Sequence, residues 1–403
     1  MIAERLQKER SYMGRIIIFT GKGGVGKTSV AAAHGKAAAG MGKKTLIVST
    51  DMAHNLSDLF ERPLGKEETM IQKDLYALEL DPEYIMENDF SDMMRAFDNL
   101  LTGKKEKDAE APVIFPGMEE LFSLLKIQEI YERGEYDLII VDCAPTGETL
   151  SLLKFPELLS WYMEKFFPVG KLGMRLLAPV SRQLFKVQLP DRAAMNDIEK
   201  LYARLLDLQE LLKNKEISSV RLVTVPEKMI VEETKRNYMY MSLYNFNVDG
   251  VYINRILPEA IGNGFFEEWL AIQKEYITRI EEIFGNIPVS RIPWYDTDIC
   301  GMDTLDRICQ DALHAEDLFE VKQITPNETY EKNEKGYLLR IFLPGAAKEE
   351  VNMHQTGTDI ILKIGNFKRN IPIPGILRTY GVTSAKLEEG LLAVQFEKEV
   401  QEG

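Results

Sequence analysis

The sequence predicts an α/β protein built on a mostly parallel sheet, followed by a smaller all-β domain. Short apolar runs rich in β-branched residues alternate with helical patterns from Arg15 to about residue 318, which is typical of strands joined by crossover helices. The first run leads into a glycine-rich loop and then into an alanine-rich helical segment. After about residue 335 the apolar period becomes two, which indicates antiparallel strands.

The glycine-rich loop is the most informative stretch for function. It follows the apolar run 15–20 (RIIIFT) and reads GKGGVGKTS. Strand, glycine loop and helix start form a phosphate cradle, because backbone N–H groups converge on an anion only where no Cβ blocks the approach. Lys27 is expected to reach the β and γ phosphates, and the Thr28 hydroxyl to bind Mg²⁺. The predicted nucleotide contacts are Gly21, Lys22, Gly23, Gly24, Val25, Gly26, Lys27, Thr28 and Ser29.

The same letters also fit the dinucleotide pattern G-x-G-x-x-G, with Asp51 at a plausible distance for a ribose contact. Lys27 and Thr28 decide against a dinucleotide site. A triphosphate site needs a lysine and a magnesium-binding hydroxyl just after the last glycine, and a dinucleotide site needs neither. The loop therefore predicts a P-loop NTPase.

A second lysine, Lys22, occupies the second position of the loop. It resembles the deviant Walker A motif of the MinD, NifH and ArsA ATPases, which are P-loop proteins of the SIMIBI type. The resemblance implies ATP as the nucleotide and a homodimer in which the extra lysine crosses to the phosphates held by the other subunit. Lys22 and Lys27 would then both stabilise phosphoryl charge. The alternative interpretation of Lys22 is a solvated surface lysine.

Asp51 follows the apolar run 45–50 (TLIVST). A carboxylate at the carboxyl end of a strand beside a phosphate loop can orient an attacking water or contact magnesium through water, although an isolated aspartate there is more often a turn or capping residue. The segment STDMAHNLSD resembles switch I of the ArsA and tail-anchored-protein targeting ATPases. That resemblance implies that Asp51 activates water. Met52 stands where the family usually has proline.

A second carboxylate, Asp142, ends the apolar run in LIIVDCAPTGET. This pattern predicts a Walker B strand whose aspartate holds the magnesium shell. The APTG turn after it can respond to the γ-phosphate. The stretch resembles the family motif D-T-A-P-T-G-H-T, with Cys143 for threonine and Glu148 for histidine.

Two helical regions, about 82–133 and 150–214, are expected to form a helical subdomain. Apolar residues recur at helical spacing in both, including Met86, Phe90 and Leu205. In the targeting ATPases the insertion after the second switch builds a groove for a transmembrane helix of a client. A groove and a plain buried layer are equally compatible with the pattern, because periodicity does not say what covers an apolar face.

Three further nucleotide contacts are implied by the same resemblance. Glu227, in VPEKMIVEETKR, matches the glutamate that contacts nucleotide across the dimer. Asn254, in VYINRIL, matches the asparagine that reads adenine, and Pro293 lies in the adenine-side loop IPWYDTDICG. Taken alone, such residues are a capping glutamate and a turn asparagine.

We expect an ATPase domain over 1–318, a polar linker over 319–335 and a β-sandwich over 336–403. The sandwich has about 65 residues, small enough to depend on the main domain for stability. YLLRIFLPGAAKEEV and AKLEEGLLAVQFEK resemble the α-crystallin domain of small heat-shock proteins. Pairing of an edge strand with a client or a second subunit is the physical use that such a sandwich permits.

Composition narrows the class of partners. The net charge of −14 argues against a nucleic-acid partner, because phosphate binding needs a basic surface. No signal peptide is expected from the charged N-terminal stretch, and no stable membrane insertion, because no apolar run is long enough to span a bilayer. The 3 cysteines make neither CxxC nor a disulfide framework, which favours a reducing cytoplasm and predicts no zinc site.

These observations lead to a cytoplasmic, homodimeric, Mg²⁺-dependent ATPase whose hydrolysis opens and closes the helical insertion around an apolar membrane-protein segment. Two alternatives stay open. An arsenite or anion efflux pump subunit needs three thiolates converging on the metalloid, which the positions of Cys143, Cys300 and Cys309 disfavour. A nucleotide-gated scaffold would bind ATP with negligible turnover.

Overall fold

The computed structural model describes residues 14–51, 55–91, 118–143, 192–261, 264–285, 287–313, 319–320, 327–365 and 367–398. The chain divides into two compact units, and each is described by itself. The first comprises Met1–Ile16 and Ala38–Ile217, and the second comprises Ile17–Ala37 and Ser218–Gly403.

Strands and helices alternate through the first three quarters of the chain, as the sequence predicts. The described elements are β1 (Arg15–Thr20), α1 (Lys27–Gly40), β2 (Thr45–Ser49), α2 (Asn55–Leu59), β3 (Thr69–Gln72), β4 (Leu75–Glu79), α3 (Met118–Glu132), β5 (Leu138–Asp142), α4 (Arg192–Lys213), β6 (Ser218–Thr224), α5 (Lys228–Leu243), β7 (Val248–Ile256), α6 (Glu267–Phe284), β8 (Val289–Pro293) and α7 (Gly301–Ala312). One further turn of α-helix, Pro82–Tyr84, continues as a π-helical turn at Ile85–Asp89.

The first unit contains strands in the order β3-β4-β2-β5. β2 pairs in parallel with β4 on one side and with β5 on the other, and β3 is antiparallel to β4. The register sets Ser49 opposite both Glu79 and Asp142. Three polar side chains therefore end three neighbouring strands at their carboxyl edge, which is where α/β sheets bind ligands.

Apolar helix faces in the first unit are buried. Met86 and Phe90 are each 4% exposed, and the rings of Phe90 and Phe122 lie 5.4 Å apart between centroids. On α4, which packs against α3, Leu205 and Leu208 are fully covered. For these described residues, the plain buried layer is the correct interpretation of the apolar pattern. The rest of the predicted helical insertion, residues 150–191, lies outside the described part of the chain, as do Met52 and Glu148.

The second unit contains strands in the order β1-β6-β7-β8, of which β6, β7 and β8 pair in parallel. β6 is buried along its whole length. Its Arg221 forms an ion pair of 3.1 Å with Asp249 of β7, and both side chains are almost completely inaccessible to solvent. Buried charges of this kind are tolerated only when they are paired.

The C-terminal part of the second unit is a two-sheet β module. Its strands are β9 (Glu328–Asn333), β10 (Gly336–Phe342), β11 (Val351–Gln355), β12 (Asp359–Ile364), β13 (Phe367–Pro372), β14 (Tyr380–Glu388) and β15 (Leu391–Lys398). They form antiparallel sheets in the orders β14-β15-β10-β9 and β11-β12-β13. Alternate residues of β10, β12 and β15 are buried, as expected for strands with one face in a core. The predicted fold class is confirmed.

The β module packs on helix α5 and the turn that follows it. Tyr240 of α5 stacks on Phe367 of the module with ring centroids 3.5 Å apart. The buried Arg369 donates a hydrogen bond to the carbonyl oxygen of Leu243, the last residue of α5, where a cation also complements the helix dipole. Asn327 donates to the carbonyl oxygen of Phe246 at 2.8 Å. The module thus has a fixed attachment to α5.

One strand lies inside the segment that the sequence predicts as a linker. β9, within 319–335, pairs with β10. It is an edge strand with no buried residue, so it lacks the apolar period that would have marked it. Among the helices that the structure describes, none combines the length and the apolar character needed to cross a membrane.

Candidate functional site

The phosphate loop in the second unit has the shape that its sequence predicts. β1 ends at Thr20 and α1 begins at Lys27, so the loop leads directly into a helix N-terminus. Gly24 and Gly26 have φ values of 80° and 91°, which residues with a side chain rarely adopt. A Cβ on Gly21 would lie 2.2 Å from the carbonyl oxygen of Val223. The glycines are therefore required by backbone conformation and by close packing.

Lys27 is held inside this loop. Its side chain is 6% exposed, and Nζ donates to the carbonyl oxygen of Lys22 at 3.4 Å. A buried ammonium group needs an anionic or carbonyl partner. The lysine lies at the positive end of α1, so the loop concentrates positive charge, which favours binding of a phosphate.

Lys22, the second lysine of the loop, is bound within its own chain. Its Nζ lies 3.2 Å from Oε2 of Glu233 on α5, with side-chain exposures of 40% and 28%. Lys22 is therefore more than a solvated surface lysine, because it has a charged partner. In this conformation its side chain is held against its own chain. A role across a subunit interface would require this ion pair to open.

Helix α1 is fixed to β7 by buried hydrogen bonds through His34. His34 contacts the Val30 carbonyl oxygen through Nδ1 at 2.7 Å and the Tyr252 hydroxyl through Nε2 at 2.8 Å. Because a carbonyl only accepts, Nδ1 carries the proton and Nε2 accepts from tyrosine. At its other end, Lys36 pairs with Asp306 of α7 at 2.5 Å. These contacts position the helix whose N-terminus closes the phosphate loop.

The predicted carboxylates lie in the first unit. Asp142 is completely buried at the end of β5, and its carbonyl oxygen accepts a hydrogen bond of 3.0 Å from the Thr50 N–H. Asp51 is half-buried, and its Oδ2 accepts from Asn55 Nδ2 at 3.0 Å. The register of β2 and β5 thus brings the start of the Asp51 segment next to Asp142.

Glu79 is a site-forming residue that the sequence reasoning missed. It is 7% exposed. Its Oε1 accepts hydrogen bonds of 3.0 Å from the N–H groups of Leu56 and Ser57, and Oε2 accepts one of 2.7 Å from the Ser57 hydroxyl. These bonds fix the start of α2, which carries Asn55 and, through it, Asp51. A carboxylate ending an apolar run, in LYALEL, was the available signal.

The three contacts implied by resemblance all lie at ends of elements in the second unit. Glu227 occupies the N-cap position of α5, but its side chain makes no capping hydrogen bond. Asn254 and Pro293 lie near the carboxyl ends of β7 and β8. Asn254 touches the phosphate loop directly, because its Nδ2 donates to the Val25 carbonyl oxygen at 2.8 Å. The roles of Glu227 and Pro293 at the nucleotide stay predictions.

The donor chemistry fits a nucleoside triphosphate with Mg²⁺. Backbone N–H groups around Gly24 and Gly26, together with the buried Lys27, suit phosphate oxygens. The Thr28 hydroxyl and the Asp142 carboxylate are oxygen ligands of the type that Mg²⁺ prefers. Among the described residues there is no group of three or more His, Cys, Asp or Glu side chains placed to hold a metal ion by themselves.

Two family models match the chain. The model described as anion-transporting ATPase matches residues 14–314, and the one described as the HSP20-like domain found in ArsA matches residues 334–396. The first contains every predicted site residue, and the second contains most of the β module.

Several curated proteins are similar over nearly the whole chain. A putative arsenical pump-driving ATPase of Chlorobaculum tepidum is 36% identical over 392 residues, covering 96% of this chain and 97% of that protein. Putative arsenical pump-driving ATPase 1 of Aquifex aeolicus is 34% identical over 396 residues, covering 93% and 98%. The ATPase GET3 of Chaetomium globosum is 28% identical over 322 residues, covering 73% of this chain and 89% of that protein. The first two similarities include the β module, whereas the third does not extend over the whole chain.

Proposed function

We propose a function from the premise that this chain belongs to the anion-transporting (ArsA) ATPase family and is an ATP hydrolase. The proposal is a cytoplasmic, Mg²⁺-dependent homodimer whose ATP cycle opens and closes a binding region for hydrophobic segments of membrane proteins. Such a protein is a targeting factor or chaperone. The observation that carries the catalytic part is the phosphate loop, with Lys27 buried at the N-terminus of α1 and Gly24 and Gly26 at positive φ.

Each site residue has a defined task in this proposal. Lys27 and the loop N–H groups bind the β and γ phosphates, and Thr28 and Asp142 supply oxygen ligands for the metal shell. Bound Mg²⁺ supplies charge neutralisation on the phosphoryl group. Asp51 orients the attacking water and accepts its proton, while Asn55 holds the carboxylate in place. Lys22 of one subunit stabilises phosphoryl charge at the other subunit's nucleotide.

A subunit-mixing experiment tests the dimer. Lys27→Ala and Lys22→Ala variants are each expected to be inactive alone. If Lys22 acts across the interface, a mixed dimer retains one intact site, formed by Lys27 of one chain and Lys22 of the other. Random mixing then restores about a quarter of the wild-type turnover per chain, since half the dimers are mixed and each has one of two sites. No recovery on mixing would place Lys22 in its own chain's site.

Copurification tests the client. In an Asp51→Asn variant, ATP binding without hydrolysis is expected to hold the bound state, and mass spectrometry should find single-span membrane proteins. The same experiment on a chain that ends before Asn327 reports whether the β module takes part. Lys27→Ala is the control, because it should lose the client together with the nucleotide. Equal recovery of membrane proteins with Asp51→Asn and Lys27→Ala would contradict an ATP-dependent client site.

Two of the similar proteins are named putative arsenical pump-driving ATPases, which favours a pump subunit as the second candidate. It predicts that arsenite or antimonite raises ATP turnover, and that substitution of the cysteines abolishes the increase. The targeting function predicts no such stimulation. A scaffold with negligible turnover, the third alternative, predicts that Asp51→Asn leaves the rate of phosphate release unchanged, so one turnover assay separates the three.

A further inference from the structure

The side chain of Asn254 joins β7 to the phosphate loop. Its Nδ2 donates to the carbonyl oxygen of Val25 at 2.8 Å, and its Oδ1 accepts from the Arg255 N–H at 2.9 Å. Both ends of the amide are thus engaged by backbone groups. The loop end of this contact lies two residues before Lys27, in the middle of the predicted triphosphate contacts.

The loop is shaped to receive this side chain. A Cβ placed on Gly26 would lie 2.3 Å from Asn254 Nδ2, closer than real Cβ contacts come. Gly26 also has a φ of 91°. The last glycine of the motif is therefore required twice, once by its backbone conformation and once by the amide that lies against it.

The backbone of β7 is irregular next to this amide. Arg255, the next residue, has a φ of 56°, which is unusual for a residue with a side chain and costs conformational energy. It lies at a β-bulge, where the pairing of β7 with β8 shifts register between Ile253 and Ile256. A strained residue therefore lies directly beside the contact with the loop, and strained residues often occur at functional sites.

Fixing the Val25 carbonyl fixes the next N–H as well. The peptide bond between Val25 and Gly26 is planar and trans, so its N–H points opposite to its C=O. When Asn254 holds the carbonyl oxygen, the Gly26 N–H is directed to the other side of that peptide. This N–H is one of the donors that the loop offers to phosphate.

We propose that Asn254 is a positioning residue for the triphosphate, acting through the Val25 carbonyl and independently of the base. The inference rests on the proposed ATPase function. It differs from the adenine-reading role that the family resemblance implies, because a residue that orients the loop affects every triphosphate equally. Tyr252, two residues earlier on β7, contacts α1 through His34, so the same strand holds both the loop and the helix that follows it.

The test compares three ligands on the full-length chain: ATP, GTP and tripolyphosphate, which has no base. Asn254→Ala removes one hydrogen bond to a neutral partner. We therefore expect it to weaken the binding of all three ligands by the same factor, roughly 2- to 12-fold. Asn254→Asp should weaken them at least as much, because it keeps the acceptor for the Arg255 N–H but sets a carboxylate oxygen against the Val25 carbonyl. Asn352→Ala, at an exposed asparagine of the β module, is the control and should change nothing.

The opposite pattern overturns the inference. If Asn254→Ala weakens ATP while GTP and tripolyphosphate bind as before, Asn254 reads the base and does not position the loop. Equal binding of all three by wild type and variant overturns it too. Asn254→Ser replaces the alanine variant if that chain does not fold. Failure of the ATPase proposal is distinguishable, because then wild type itself does not hydrolyse ATP and Lys27→Ala has no effect.

Discussion

The ion pair between Lys22 and Glu233 leads to a quantitative prediction about dimer closure. In the structure, Lys22 Nζ lies 3.2 Å from Glu233 Oε2 of the same chain. Under the proposed mechanism, Lys22 must leave this carboxylate before it can reach a nucleotide in the other subunit. Glu233 therefore competes with the closed, ATP-bound dimer. Glu233→Gln, which removes the charge and keeps the side-chain length, should favour closure.

The size of the effect follows from exposure. With side chains that are 40% and 28% exposed, the pair is worth about 0.2–1 kcal/mol. Closure of a dimer opens two such pairs, one in each subunit. Association of the variant with ATP bound should therefore be more favourable by about 0.4–2 kcal/mol, which corresponds to an association constant about 2- to 30-fold higher. Added salt screens exposed ion pairs and should reduce the difference between variant and wild type.

Sedimentation velocity in the presence of Mg²⁺ and ATP measures the dimer association constant. All variants carry Asp51→Asn as well, which prevents turnover. Glu232→Gln is a matched control: the neighbouring residue makes the same charge change, but its partner is Arg279 and not the loop lysine. If Glu233→Gln associates no more tightly than Glu232→Gln, opening of the Lys22 pair is not part of closure. Weaker association would show that Glu233 supports the closed state, and would refute the reasoning directly.

Three further predictions concern stability and reactivity. Asp249→Asn leaves the buried Arg221 charge uncompensated, and urea titration should show a loss of about 3–5 kcal/mol in the free energy of unfolding. Burial lowers the pKa of Lys215 from 10.5 to about 8. Between these two pKa values the folded chain binds fewer protons than the unfolded chain. The free energy by which Lys215 destabilises the folded state is therefore largest below pH 8 and decreases as pH rises toward 10.5. Thermal scans should find Lys215→Gln more stable than wild type at pH 7, by a margin that shrinks toward pH 10. Burial also raises the pKa of the Cys309 thiol to about 11, so iodoacetamide at pH 8 should label the exposed Cys300 and leave Cys309 unmodified, as peptide mass mapping would show.

Much of the α/β fold could be predicted because its signals are local. The strand before the phosphate loop has the bounds that the sequence indicates, Arg15–Thr20, and the alanine-rich segment after the loop is a helix, Lys27–Gly40. An apolar run, a glycine loop and an alanine-rich segment are contiguous in the chain. Their structure therefore depends little on distant residues.

Two edge strands of the β module, β9 and β14, escaped prediction for a physical reason. β14 has no buried residue and β9 has none, because an edge strand pairs on one side and exposes much of its surface. Neither shows the alternation by which β10 and β15 were recognised. These two strands are stabilised by pairing with other strands of the module. The sequence of a strand by itself does not reveal its pairing partner.

Contacts between distant parts of the chain account for what the sequence could not give about the site. The loop motif marks Lys22 as unusual, but nothing in the letters identifies Glu233 as its partner. Similarly, Glu79 reads as the end of an ordinary strand until the structure shows its oxygens at the start of α2. Motifs specify which groups take part in phosphate chemistry, whereas the partners that aim those groups are set by packing.

Helix α5 connects the nucleotide side of the second unit to the β module. Near its start it carries Glu233, the partner of Lys22, and at its end Leu243 is held by the module's Arg369. An α-helix of 16 residues transmits displacement along its axis, because its hydrogen bonds resist stretching. If closure moves α5 as Lys22 is released, the module moves with it. Arg369→Gln should then loosen the module, seen as faster amide exchange in β13, while leaving the Lys22 pair and the ATP affinity of the isolated subunit unchanged. A change in the ATP affinity of the isolated subunit would instead show that the two ends of α5 are coupled even without a dimer.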